Sequence, residues 1–343
     1  MKRVFTLLLL LCLLPGCGGP TADAPPEDGW AVGVLRTSGF RNESAILYFD
    51  ENLAPAGTLS FPYATFGELF YPPAVTEDAV YIIPQGQANR KDLRCILALD
   101  LATFDARRYD LDQIAIYSPS AGDGALYTVS NLNGDSFLSR IDLVSGDTDT
   151  AIFENRYLSA AQLCGDTVYA FSSDSAGGSV LHCVDPRTLA ERRRIDLSAL
   201  GSGVFSMAYD GTALYFAPTE SIGGAAPRCI GVYRPDSSTV EALDCGQTVF
   251  QLLWAEGRLY LSHGNLVTGE GTQLSLYDPV SGVLTTHDLG LWPAQVAAHG
   301  GALYVLSRDA LAKFSLDTLA PLGETAVASG EDFYLSGLFA APH

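Results

Sequence analysis

One phrase recurs along the chain and limits its fold more than any other feature. A tight turn built on Asp or Gly leads into a short apolar strand carrying a tyrosine: "DGALYTVS", "GDTVYAFS", "DGTALYFAP", "EGRLYLSH" and "GGALYVLS". With Tyr81 included, these tyrosines stand at 81, 127, 169, 215, 260 and 304, so the spacings are 46, 42, 46, 45 and 44 residues. A period in the forties, made of short strands and turn signals, predicts an all-β chain folded as a β-propeller with four strands per blade. A helical repeat of similar period would show 3.6-residue periodicity, and none is visible. About 315 residues follow the N-terminal leader and linker. That exceeds one ordinary core, but stacked repeats escape the limit because each packs on its neighbours.

The segment from Val204 to Cys245 shows the grammar of one blade. Strand A is "VFSMAYD", a turn at Asp210-Gly211 leads to strand B, "ALYFAP", and a loop leads to strand C, "CIGVYR". The turn "PDSS" then leads to strand D, "TVEALD". Elsewhere the C-to-D turn reads "DLVSG", "DPRT" and "DPVSG", using residues that accept bent backbone conformations. The N-terminal part supplies strands B, C and D ("WAVGVL", "AILYFD", "GTLSF") without a strand A. A stray strand, "FYLSGLFAA" (333–341), follows the last complete blade. Pairing the two ends completes blade 1 and removes an open sheet edge. That gives seven blades; six or eight stay open on the sequence.

Phrases such as "LYDPVSGVLTTHDLG" resemble quinoprotein-like repeats and the surface-layer-type (YVTN-like) propellers related to them. The resemblance covers the chain after its leader and implies the propeller fold. The tryptophan-rich motif and vicinal cysteine pair of true quinoprotein enzymes are missing, as are WD-type signatures, so no cofactor is expected.

The start of the chain, "MKRVFTLLLLLCLLPGCGGP", has a basic Lys2-Arg3 region and an apolar stretch too short to span a bilayer comfortably. Its "LPGC" resembles the lipobox of bacterial lipoproteins, which implies lipidation at Cys17, although Pro15 is not the favoured residue there. An ordinary secretory signal cleaved nearby is the alternative. The expected organisation is a leader over 1–17, a flexible tether over 18–28 and one propeller domain over 29–343. The expected location is the cell envelope, lipid-anchored at the outer face of the cytoplasmic membrane or in a periplasm. Loss of Lys2 and Arg3 with the leader moves the net charge from −19 to −21. Such acidity argues against nucleic acid and anionic lipid surfaces as partners.

In an antiparallel blade the B-to-C loops share a face with the D-to-A crossovers. Several are long: "PQGQANRKDLR" (84–94), "PTESIGGAAPR" (218–228) and "HGNLVTGEGTQ" (263–273). Variable loops on a rigid scaffold commonly carry binding sites, so this face is the expected one. Ten residues before the repeat tyrosines stand Tyr71, Tyr117, Ser159, Phe205, Phe250 and Ala294, with Tyr157 and Trp292 two residues upstream of the two non-aromatic slots. They either ring the channel mouth or, as recurrence favours, fill wedges between blades. Ser118, Ser206, Gln251 and Gln295 are the expected channel-lining polar residues. Arg90, Lys91 and Arg94 make one loop basic and suit a carboxylate or phosphate, although a solvated loop is the commoner case.

Cys229 and Cys245 lie eight residues either side of Ser237, so a turn centred there would place them opposite one another. An exported protein would then carry a disulfide between them. Cys164 and Cys183 fall on strands A and C of one blade, too far apart to bridge. The five histidines are scattered, without paired Cys-x-x-Cys, so no metal is expected. "NLNGDS" resembles a calcium loop but lacks its spacing and terminal glutamate. With no nucleophile elbow or phosphate-cradling loop, no catalytic residue is assigned. The expected function is a monomeric, membrane-anchored binding module for an envelope protein, peptide or glycan. The alternative is a propeller enzyme, a lyase or quinoprotein-like oxidoreductase, with a site at the channel mouth.

Overall fold

In the computed structural model, residues 21–24, 26, 29–86, 94–220 and 226–342 are described. They form seven four-stranded antiparallel blades arranged as a seven-bladed β-propeller. Blade 5 follows the grammar of the sequence: strands Ser202–Tyr209, Leu214–Glu220, Cys229–Arg234 and Thr239–Asp244. The ring closes at blade 1, where the C-terminal Phe333–Ala340 is the innermost strand. It pairs antiparallel with Trp30–Ser38, bringing Val34 opposite Leu338. Thr21–Ala24, in the segment expected to be a tether, pairs with Pro55–Phe61 and adds a fifth strand to the outer edge of blade 1.

The six repeat tyrosines are all buried, at 5 % exposure or less. They fill the wedges between blades, and some reach across them. The Tyr127 hydroxyl donates to the Pro186 carbonyl in the C-to-D turn of blade 4, and Tyr260 donates to Leu316 in that of blade 7. Tyr169 of blade 4 meets Tyr233 of blade 5 edge-on at 6.0 Å. The recurring phrase is therefore a packing device: each wedge needs a large, mostly apolar side chain, whose hydroxyl finds a partner at Tyr127, Tyr215 and Tyr260 but not at Tyr304.

Turn chemistry explains the Asp that opens most C-to-D turns. Asp142 Oδ1 accepts from the backbone N–H of Val144 and Ser145, Asp185 from Arg187 and Thr188, and Asp278 from Val280 and Ser281. These carboxylates thus replace backbone partners that the bent chain cannot supply. All three are held below the ordinary carboxylate range by those bonds, Asp185 also by Arg192.

The expected disulfide does not form. Arg234 pairs with Thr239, which centres the turn between residues 236 and 237 and sets Cys229 opposite Asp244. Cys245 lies one residue further on, beyond the paired strand, where its N–H donates to Arg228. A one-residue change of register reverses the side-chain direction, so the two thiols are free. Burial pushes the Cys245 thiol up to about 12.

Candidate functional site

The crossover from blade 1 to blade 2 spans residues 62–73, twelve residues against three to six for the other crossovers. Its first part, Ala64–Phe66, pairs with Pro84–Gly86 at the start of a long B-to-C loop. Gly67, at φ 76°, then turns the chain inward, a backbone conformation that glycine adopts without strain. Residues 67–71 enter the central channel from the long-loop side.

Every other blade holds this plug. Thr37 and Ser336 of blade 1 bond the Phe66 N–H and carbonyl, at 2.8 and 2.6 Å. The Gln295 amide of blade 7 donates to Glu68 and Leu69 carbonyls, and Gln251 of blade 6 donates to Leu69 at 2.9 Å. Tyr71 stacks on Tyr117 of blade 3 at 5.2 Å and meets Phe205 of blade 5 at 6.1 Å. Its hydroxyl donates to the Ser159 carbonyl of blade 4 at 2.6 Å. Leu69 packs towards blades 7 and 1. On the long-loop side a crevice of about 10 Å³ remains among the described residues, lined by Glu68, Tyr71, Gln85 and Tyr117 among others.

Around the plug on that face lie the partly exposed Phe70, Phe205 and Glu68, with Tyr157 at 48 % and Tyr334 at 44 % exposure. Burial raises the Glu68 carboxyl above its ordinary value and also raises the Tyr71, Tyr117 and Tyr334 phenols. The result is an aromatic surface around one carboxylate, suited to stacking and hydrogen bonding.

The fold gathers several residues singled out in the sequence. Tyr117, Phe205 and Gln251 grip the plug, and Tyr157 stands beside it. Ser118 and Ser206 line the channel but also staple neighbouring strands A: Ser118 exchanges hydrogen bonds with Ala161, and Ser206 accepts from Leu252. Trp292 lies under the Arg308 guanidinium, 5.6 Å from its ring, and its Cδ1 abuts Gly264 of the 263–273 loop. Arg94 is exposed and donates to the Asp112 carbonyl. Cys17, Arg90 and Lys91 lie outside the described residues. Glu68, Leu69 and Phe70 were not singled out; the only signal for them was the unusual length and aromatic content of "FPYATFGELFYPP".

Below the plug, towards the A-to-B turns, the channel opens into a cavity of about 510 Å³. It runs from Tyr71 and Phe205 to Gly165, Tyr209 and Trp254 and is lined by blades 2 to 6.

A second polar arrangement lies inside blade 4. Ser172 Oγ is 2.7 Å from His182 Nε2, and His182 Nδ1 is 2.5 Å from Glu191 Oε1. Hydroxyl, imidazole and carboxylate stand in the order of a nucleophilic triad. Ser172, however, is 2 % exposed and His182 is fully buried beneath Phe153, at 4.9 Å. Burial lowers the imidazole's pKa despite Glu191, so the neutral ring donates from Nδ1 and accepts from Ser172. His263 repeats the device in blade 6, bonded to Thr248 and Ser275. Both are internal ties between strands.

No family model matches the chain, and no curated protein matches it in sequence. Solved structures match its fold. The chain is similar to apo AztD from Citrobacter koseri, at a TM-score of 0.53 and 9 % identity over 91 % of this chain and 98 % of that one. It is also similar to the dihydro-heme d1 dehydrogenase NirN in complex with DHE, at 0.57 and 12 % identity over 90 % of this chain and 75 % of that one. BamB from Moraxella catarrhalis aligns at 0.48 and 13 % identity, over 77 % and 75 % of the two chains. The first two likenesses bear on the fold alone.

Proposed function

We propose that this propeller is a non-catalytic binding module of the bacterial cell envelope, anchored through Cys17 and acting as a monomer. It engages an envelope protein, peptide or glycan through its long-loop face. The observation carrying this reading is the plug. The chain spends its longest crossover to fill the channel on that face, with Glu68, Phe70, Tyr157, Phe205 and Tyr334 around the plug. Exposed tyrosines offer large, rigid contact area with a polar tip. The lipobox-like "LPGC" supports the anchor.

Purified protein probed against arrays of envelope glycans and peptides tests the proposal. Binding that is lost in a Tyr157→Ala/Tyr334→Ala variant, and kept when Val144 on the opposite face is changed, supports it. Binding indifferent to the tyrosine pair overturns the face assignment. Metabolic labelling with a fatty-acid analogue should mark the wild type and not Cys17→Ser; an unlabelled wild type overturns the anchor.

A further inference from the structure

We propose a second site: the blind channel below the plug binds a small organic cation whose apolar or ring-bearing body enters the cavity and whose ammonium group stays at the mouth. The site faces the A-to-B turns, opposite the surface proposed above.

Size and closure come first. The cavity's volume of about 510 Å³ falls in the range of small-molecule pockets, roughly 300–1,000 Å³. Tyr71 closes its inner end, fixed by the Tyr117 stack and the Ser159 bond, so a ligand enters and leaves by one mouth. The walls are strands A of blades 2 to 6, and those of blades 3 to 4 and 5 to 6 are stapled together through Ser118 and Ser206. Such walls are organised before a ligand arrives, which lowers the entropic cost of binding.

The lining selects the body of the ligand. Every described side chain lining the cavity is uncharged, in a protein of net charge −19. Apolar surface comes from Leu163, Met207, Leu252 and Leu253, with aromatic rings from Tyr71, Phe205, Tyr209 and Trp254. Gln162 also lines the cavity, half-buried, and its amide is available to orient a guest.

The mouth selects the charge. The A-to-B turns of blades 2 to 6, which follow the strands lining the cavity, carry Glu77, Asp78, Asp123, Asp166, Asp210 and Glu256 and no lysine or arginine. Asp166 has Arg192 4.0 Å away and Asp210 accepts from Ala213 and Tyr215, whereas Asp123 and Glu256 are exposed, as are Glu77 and Asp78, which line a separate groove beside Asp100 and Pro342. Carboxylates on the turns beside an uncharged cavity raise the local concentration of cations. The Trp254 and Tyr209 rings at the same end can face an ammonium group.

Calorimetry with three probes sharing one body tests this: 4-phenylbutylammonium, 4-phenylbutanol and 4-phenylbutyrate. The expected order is cation, then alcohol, then acid, with steps of about threefold to tenfold that shrink as salt is added. Gln162→Trp, which fills the cavity, should weaken the cation and the alcohol by about tenfold or more. Neutralising Glu77, Asp78, Asp123 and Glu256 together should bring the cation down to the alcohol and leave the alcohol unchanged. Failure of all three probes to bind at millimolar concentration, with the protein folded by circular dichroism, overturns the site. So does binding untouched by Gln162→Trp. Equal affinity for cation and alcohol in the wild type overturns the charge assignment.

Discussion

At the scale of single residues, Tyr71 closes the channel by two different means: a stacked ring and one donated hydrogen bond. Tyr71→Phe removes only the bond and strands the Ser159 carbonyl, so unfolding in urea should cost about 1 kcal/mol less. Tyr71→Ala also removes the ring and leaves a void, for a loss of about 3–5 kcal/mol. Equal stability of Tyr71→Ala and wild type would show that the plug adds nothing to the fold. Proton binding gives a second test at this scale. Burial depresses His182 and His263, and turn N–H groups depress Asp142, Asp185 and Asp278. A depressed folded value means that the unfolded chain binds the proton more tightly. The stability is therefore full above the unfolded value and is lost as pH falls through the folded one. The unfolding free energy should begin to fall below about pH 6.5, as the histidines must charge, and fall further below about pH 4 as the aspartate carboxylates must be neutralised. Urea titrations from pH 7.5 to 3.5 measure this. A flat free energy between pH 7 and 5 would mean that His182 and His263 are protonated in place.

At the scale of strands and turns, the register of a hairpin decides the chemistry of its cysteines. Cys229 and Cys245 are free because the turn of blade 5 is centred half a residue before the symmetric position. A thiol titration of unfolded protein lacking the N-terminal leader should find five reactive thiols without reductant, and adding reductant should leave the thermal midpoint unchanged. Fewer thiols, with a midpoint that drops in reductant, would place a disulfide in the chain. The same hairpin shows what a sequence displays and what it hides. Its strands "CIGVYR" and "TVEALD" and its turn "PDSS" were legible in the blade's repeated grammar. The pairing partner of a given residue depends on which turn residue takes the left-handed conformation, here Ser238 at φ 57°, and the residue types at that turn leave the choice open. The aromatic series was hidden for another reason. Tyr71, Tyr117 and Phe205 share a position relative to the repeat, and they meet on one segment of chain while Tyr117 also packs into the wedge between blades 3 and 4.

At the scale of the whole molecule, the repeat announced the ring, because one wedge is like the next, and the matching of the two termini announced its closure. The plug breaks the repeat, and nothing periodic could point to it. Its partners come from six blades between residues 37 and 336, a convergence that only the closed ring produces. Closure should therefore be the step on which both channel ends depend. Phe333–Ala340 supplies the inner strand of blade 1, and Leu335, Leu338 and Phe339 enter the cores on both of its sides. Gly33 leaves room for the Phe339 ring, with which a Cβ would overlap. A chain ending at residue 332 leaves the Trp30–Ser38 ladder unpaired on one edge and takes Ser336 from the plug. It should self-associate or unfold without a sharp transition, and a peptide spanning 333–342 should restore a monomer with a single cooperative transition. Leu338→Ala keeps the strand and tests packing alone, with an expected loss of about 2–5 kcal/mol. A truncated chain that remains monomeric, with the wild-type midpoint, would show that the ring does not need its C-terminal strand.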